Sequence, residues 1–468
     1  MTDLTRLPAH ELTACYADGS LSPVEVTQAA LAAIDRLDGL VNAFVLVDGD
    51  GALAQAKQSE VRWRAGESLG AGDGVPTSIK DIFLTRGWPT LRGSNLIEEA
   101  GPWPDDAPCV ARLRSVGAVL LGKTTTPEFA WKGVTDSLRF GATGNPWDAG
   151  LTSGGSSGGS ATAVGLGMGT WSVGTDGGGS VRIPAAFTGT VALKPTYGLV
   201  PMFPASPFGT LAHAGPMTRT VTDAAAMLDV LVGFDDRDWS AMPTPTTSFL
   251  DGLDDGVRRL RIAFSPDLGF GRNDAEVERL VRRAVDVLAG LGAEVDEADP
   301  GFADPVEAFH VLWFTGAAKV AESYGPDALE DVDPGLRRAV ELGRTTSGSE
   351  YLDATAVRMD LGRRMGHFHR TYDLLVTPTL PITAFGVGMD APPGSPSNDW
   401  TSWSSYAYPF NMTQQPALSV PCGLTDAGLP VGLQVVGPRH ADATVLRAGR
   451  AYESTTSWGS LVPTLAAN

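Results

Sequence analysis

Short apolar runs of strand character recur between amphipathic segments, and this alternation restricts the fold more than any other feature of the chain. AVLLG (118–122), RIAFS (261–265), DLLVTP (373–378), ALSVPCG (417–423) and LQVVGP (433–438) have the brevity and β-branched content of buried strands. Helical patterns lie between them. Ser22-Pro23-Val24-Glu25 is a capping box with proline at the first helical position, and it opens the amphipathic run VEVTQAALAAIDRL. Further helices are predicted over 223–232, stopped by Gly233, and over 274–291, where Asn273-Asp274-Ala275-Glu276 repeats the cap chemistry. Strands alternating with helices predict an α/β protein with a mostly buried sheet.

Charge narrows the partners. The chain has 35 basic and 54 acidic residues, a formal net charge of -19, so it repels phosphate backbones and no general nucleic-acid surface is expected. Cys15, Cys109 and Cys422 are far apart and odd in number. They read as reduced core thiols, with neither a disulfide frame nor a zinc site. The N-terminal MTDLTRLPAH lacks a basic stretch followed by an apolar one, and no uncharged apolar run approaches membrane-spanning length. The expectation is a cytoplasmic protein without a membrane partner.

Two serine-and-glycine stretches carry the chemistry: TSGGSSGGSA (152–161) and GTDGGGSVRIPAAF (174–187). Glycines crowd a position where backbone must come close to a ligand, and three of them before Ser180 can turn successive N–H groups toward one developing oxyanion. Serine needs a base. None of the six histidines adjoins these stretches, but a lysine whose burial lowers its pKa can serve instead. Lysine is scarce, at six residues, and Lys80 ends the run Pro76-Thr77-Ser78-Ile79, which points it inward from a strand end. Its alternatives are a snorkelling surface lysine or a partner for Asp81.

GVPTSIKD (74–81), GLTSGGSSGGSA (150–161) and GTDGGGSVRIPAAFTGTVALKPTYG (174–198) together resemble the amidase signature family. The likeness spans roughly residues 20 to 455, and the order and spacing of the fragments make it specific. It implies a single three-layer α/β/α domain over 1–468 with a mixed central sheet: an N-terminal helical segment (1–60), a catalytic core (61–235), and further sheet, helices and substrate-facing loops (256–468). It also implies that Ser180 is the acyl-accepting nucleophile, that Ser156 follows a cis peptide bond and relays protons, and that Lys80 is the base. The N–H groups of Gly177, Gly178, Gly179 and Ser180 would form the oxyanion hole, Asp176 and Arg182 a supporting ion pair, and Ser157 an outer contact. Relatives often carry threonine or isoleucine at the position of Gly177, so glycine there is expected to loosen the turn or open space.

The implied reaction is hydrolysis of a carboxamide, with ester or carbamate as further leaving groups, and needs no cofactor or metal. The partner is a small molecule, and the protein is expected as monomer or homodimer. The long loop 391–410 is expected to bring Trp400 and Trp403, with Trp131, toward substrate; these and Trp313 favour an aromatic or bulky apolar one. Two other readings stay open: an ammonia-releasing amidotransferase component, and an esterase using GGSSG as a GxSxG elbow with a histidine base. GAVLLGKT (117–124) matches a P-loop pattern, but its variable residues are strand-like, so nucleotide binding is not expected. His367 and His369 form an HxH pair without an evident third ligand.

Overall fold

The computed structural model describes residues 3–467. The strands of the main sheet are β1 (Phe44–Val47), β2 (Pro76–Lys80), β3 (Val119–Thr124), β4 (Trp171–Asp176), β5 (Val191–Lys194) and β6 (His213–Thr218). They continue with β7 (Arg261–Phe264), β8 (Glu294–Glu297), β9 (Leu374–Pro378), β10 (Ala417–Leu424) and β11 (Pro430–Val436). All eleven join one sheet in the order β1-β3-β2-β4-β6-β5-β10-β11-β9-β7-β8. The sheet is mixed: β3, β2 and β4 run parallel, as do β9, β7 and β8, while the strands between them pair antiparallel. Every strand expected from the apolar runs is present.

Alternation along the strands sends side chains to two helical layers. Leu193, Ile262, Leu374 and Val376 enter a core shared with the helices Pro108–Ser115, Val221–Leu231, Ala275–Gly290 and Asp442–Glu453. Ala192 packs under the helices Gly158–Gly165 and Arg182–Thr188, and Leu375 and Ala263 face a third, aromatic-rich core with the helices Val306–Glu322, Pro334–Thr345 and Gly348–Phe368. This is the three-layer α/β/α arrangement.

Local signals hold at the first expected helix, which runs Pro23–Val41. There Ser22 Oγ accepts from Glu25 N at 3.2 Å and Glu25 returns the bond at 2.8 Å. The helix after Asp274 starts where expected but without a side-chain cap. Asn273 is instead drawn away, donating to the Pro266 carbonyl at 2.7 Å and accepting from Tyr406 at 2.9 Å.

The fold brings two chain segments to one place. Ile79 pairs with Val173, so the C-terminal ends of β2 and β4 emerge side by side. The helix Gly158–Gly165 crosses above them, built almost wholly of small residues. A Cβ on Gly158 would lie 2.3 Å from Ser153 Oγ and 2.4 Å from Thr135 Oγ1, so only glycine permits this approach.

Candidate active site

Lys80 is the last residue of β2 and is fully buried. Ile79 beside it faces the apolar core, so alternation turns the lysine to the opposite, polar side of the sheet. Its Nζ lies 2.7 Å from Ser156 Oγ, 2.9 Å from Ser157 Oγ and 2.8 Å from Thr175 Oγ1. No carboxylate forms an ion pair with it among the described residues. Burial pushes its pKa well below the ordinary lysine value, with the more distant Asp176 opposing.

The other buried lysines differ. Lys123 pairs with Asp81 at 3.1 Å, and Lys132 meets Asp136, Asp333 and Asp390 at 2.7, 3.0 and 2.8 Å. Lys194 donates to the carbonyls of Gln415 and Pro195. Lys80 alone has three hydroxyls as its hydrogen-bonding partners. Asp81 therefore belongs to Lys123, and that lysine of the P-loop-like motif is closed off inside β3.

Hydroxyl directions are largely determined. Ser157 Oγ donates to the Thr175 carbonyl at 3.1 Å, so it accepts from Lys80. Ser156 Oγ has no partner but the amine among the described residues. An uncharged amine has two protons and one lone pair, which three hydroxyl neighbours satisfy completely. The peptide bond before Ser156 is cis, as the resemblance implied.

Ser180 sits on the loop between β4 and the helix Arg182–Thr188. Its carbonyl accepts from Ser157 N at 3.1 Å, which ties the two serine-bearing segments together. Ser156, Thr175, Gly177 and Ser180 line one cavity of about 480 Å³. Of the four N–H groups proposed for an oxyanion hole, that of Gly179 is committed elsewhere, donating to Asp176 Oδ1 at 2.8 Å. Those of Gly177, Gly178 and Ser180 make no hydrogen bond to the described residues.

Asp176 and Arg182 are both fully buried and joined at 2.9 and 3.0 Å. Burial alone would raise the carboxyl, but the Arg182 charge and hydrogen bonds, with Lys194 and Asn411, hold it well below the usual range. Arg182 also donates to Gln434, Asn411 and the Ala407 carbonyl. Thr175, Asn411 and Gln434 escaped sequence reasoning; only Thr175, inside the glycine motif, offered a local signal. Arg182→Met leaves Asp176 buried and uncompensated and is expected to destabilise the protein by about 3–5 kcal/mol in chemical denaturation. A loss no larger than a surface pair gives, about 1 kcal/mol or less, would show that the neutral donors suffice.

Aromatic placement departs from expectation. Trp131, Trp400 and Trp403 are buried in the core and none lines the cavity; of the four tryptophans considered, Trp313 does. The loop 391–410 is anchored, not presented: Trp403 donates to the Asp390 carbonyl and Tyr408 to Asp304. Glycines on several segments account for it: besides the run before Ser180, Gly335 meets Trp131 and Gly133 meets Trp403. Missing side chains leave room that rings fill, and a Cβ would lie 2.8 Å from Trp313 at Gly177 and 2.5 Å from Trp400 at Gly178. Gly177 therefore opens no space for substrate. The actual walls are Phe83, Phe129, Trp313 and the segment Pro201–Phe208.

No histidine lines the cavity among the described residues, and no strand precedes Ser156 as a GxSxG elbow requires. His369 Nε2 lies 2.9 Å from Gln415 Nε2 and its Nδ1 faces the Tyr372 carbonyl.

Residues 25–446 match the family described as Amidase. The chain belongs to the amidase signature family. It is 36% identical over 464 residues to an acylamidase of Rhodococcus erythropolis, covering 98% of this chain and 97% of that protein. It is 40% identical over 479 residues to a glutamyl-tRNA(Gln) amidotransferase subunit of Myxococcus xanthus (strain DK1622), covering 97% of each. A bacterial aryl acylamidase of the same family superposes with a TM-score of 0.91 at 30% identity, covering 99% of this chain and 98% of that one. The 6-aminohexanoate cyclic dimer hydrolase, solved with substrate, gives 0.90 at 28% identity, covering 99% and 100%. This amidase signature chain has no helix long and apolar enough to cross a membrane among the described residues.

Proposed function

We propose that this chain hydrolyses a carboxamide C–N bond through an acyl-enzyme on Ser180, with Lys80 as base and Ser156 as proton relay. One observation carries the reading: a fully buried amine, without a carboxylate partner among the described residues, sits 2.7 Å from a serine hydroxyl on the wall of the cavity that holds Ser180. Lys80 takes the Ser156 proton as Ser156 takes that of Ser180, and Ser180 Oγ bonds to the carbonyl carbon. The Ser180 hydroxyl has no partner among the described residues, so it is free to turn toward Ser156 when substrate binds. The oxyanion meets the free N–H groups of Gly177, Gly178 and Ser180, each such donor lowering the barrier by about 2.7–4 kcal/mol. The reversed relay protonates the departing nitrogen. Water, deprotonated along the same route, then releases the acid and restores Ser180.

An aromatic-walled cavity favours anilides and other apolar amides over glutamine. Similarity to an amidotransferase component supports the second reading, ammonia release. Mass spectrometry after a fluorophosphonate should place the label on Ser180, and aniline release should exceed ammonia release from glutamine; the reverse ranking would favour the amidotransferase reading.

Gly177→Thr should lower kcat/KM by about 10- to 100-fold, because Trp313 must leave its place and the neighbouring hole moves with it. That ring is stacked on Phe208 at 3.9 Å between centroids, so the open side left to it is the cavity it lines. Trp313→Leu in the same chain should restore part of the loss. An unchanged rate for Gly177→Thr would show that the loop tolerates a side chain there.

A further inference from the structure

The cavity wall carries a positive charge that no acidic side chain pairs with among the described residues. Arg92 lines it, half-buried, and among the described residues its guanidinium makes neither a hydrogen bond nor an ion pair. Nearby carboxylates already have hydrogen-bond donors. Asp81 pairs with Lys123, and Glu128 accepts from Ser94 Oγ at 2.6 Å and Asp333 N at 2.7 Å. Lys319, the other cation on the wall, is 2.7 Å from Glu322.

Arg92 stands on fixed backbone. Its φ is 53°, its carbonyl accepts from Phe129 N at 2.7 Å, and the preceding N–H, of Leu91, bonds to Asp81. Gly93 beside it packs so closely on the Thr126 carbonyl that a Cβ would lie 2.6 Å away. Tyr324 lines the same cavity with its ring against Phe129 at 5.5 Å, and its hydroxyl has no partner among the described residues. Burial pushes the pKa of that phenol up, the Arg92 charge opposes the push, and the Glu128 carboxylate adds to it. Guanidinium has five donors and no acceptor, in a fork that matches a carboxylate.

We propose that Arg92, with the Tyr324 hydroxyl beside it, receives a carboxylate of the substrate, so that the cavity takes amides bearing an anionic group beyond an apolar portion. The aromatic walls hold the apolar portion. Which bond is cut rests on the hydrolytic reading above; recognition of the anion does not.

Two measurements separate these claims. In calorimetry, phenylbutyrate should bind the full chain about 10- to 100-fold more tightly than 4-phenylbutanol, a neutral analogue with no bond to hydrolyse, the range expected for hydrogen bonds to a charged group. Arg92→Met should bring that ratio close to one, Arg92→Lys should restore part of it, and salt should weaken the carboxylate alone. A ratio near one in the unmodified chain, or one unaffected by Arg92→Met, overturns the proposal. Because the ratio is taken within one protein, partial misfolding of a variant does not disturb it.

In turnover, the para-nitroanilide of glutaric monoacid is compared with that of valeric acid, and N-butyryl aminobenzoate with N-butyryl aniline. The carboxylate-bearing member of one series should lead in kcat/KM, by a ratio that Arg92→Met removes; the leading series shows whether the anion lies on the acyl or the amine side. Binding preference without cleavage of any anilide would reject the hydrolytic reading and uphold Arg92. Cleavage without preference in either assay would do the opposite.

Discussion

Replacing Lys80 by methionine is expected to lower kcat/KM by about three to four orders of magnitude, the upper range for losing a general base. Methionine keeps the unbranched stem and removes the amine, so Ser156 loses the only group hydrogen-bonded to its hydroxyl among the described residues. In the unmodified chain, activity should rise with pH as the amine loses its proton, then level off. Burial lowers the Lys80 pKa, so the rise falls below the range of ordinary lysines. Stability follows the same sign. The unfolded chain binds a proton at this position up to the ordinary lysine value while the folded one does not, so Lys80 favours folding increasingly as pH climbs between the two. Lys80→Met should remove that slope and leave Tm at neutral pH equal or higher. Full activity at neutral pH in the variant would take the lysine out of the reaction.

Ser180→Ala is expected to reduce kcat by about six orders of magnitude, as loss of a nucleophile does in serine hydrolases. Tm should hardly move. The hydroxyl has no partner among the described residues and opens onto the cavity, so its removal breaks no hydrogen bond and empties little volume. The variant should also lose fluorophosphonate labelling. Residual turnover above about a hundredth of the original, far more than the hole and binding alone sustain, would exclude Ser180 as the nucleophile.

The fold was legible in part, where its signals are local; Phe44–Val47, Trp171–Asp176, Val191–Lys194, His213–Thr218 and Glu294–Glu297 were not read as strands. A strand in a two-sided sheet must be short and apolar, and RIAFS or DLLVTP is recognisable wherever it occurs. Lys80 was legible too, since an amine ending an apolar run has little choice but to enter the interior. Tryptophan placement was not. Trp131, Trp400 and Trp403 satisfy pattern criteria for a substrate wall as well as Trp313 does; all four pack on glycines more than a hundred residues away, and what separates Trp313 is that it also borders the cavity.

Amino-acid order by itself determined the α/β layering, the inward lysine and the crowding of glycine before Ser180, because propensity, alternation and steric freedom act between near neighbours. Only tertiary structure decided that Gly179 gives its N–H to Asp176, that Asp81 belongs to Lys123, and that Arg92 reaches the cavity unpaired among the described residues. Hydrogen-bond partners and charge compensation depend on distances of a few ångströms between residues far apart in the chain, and no local pattern encodes those.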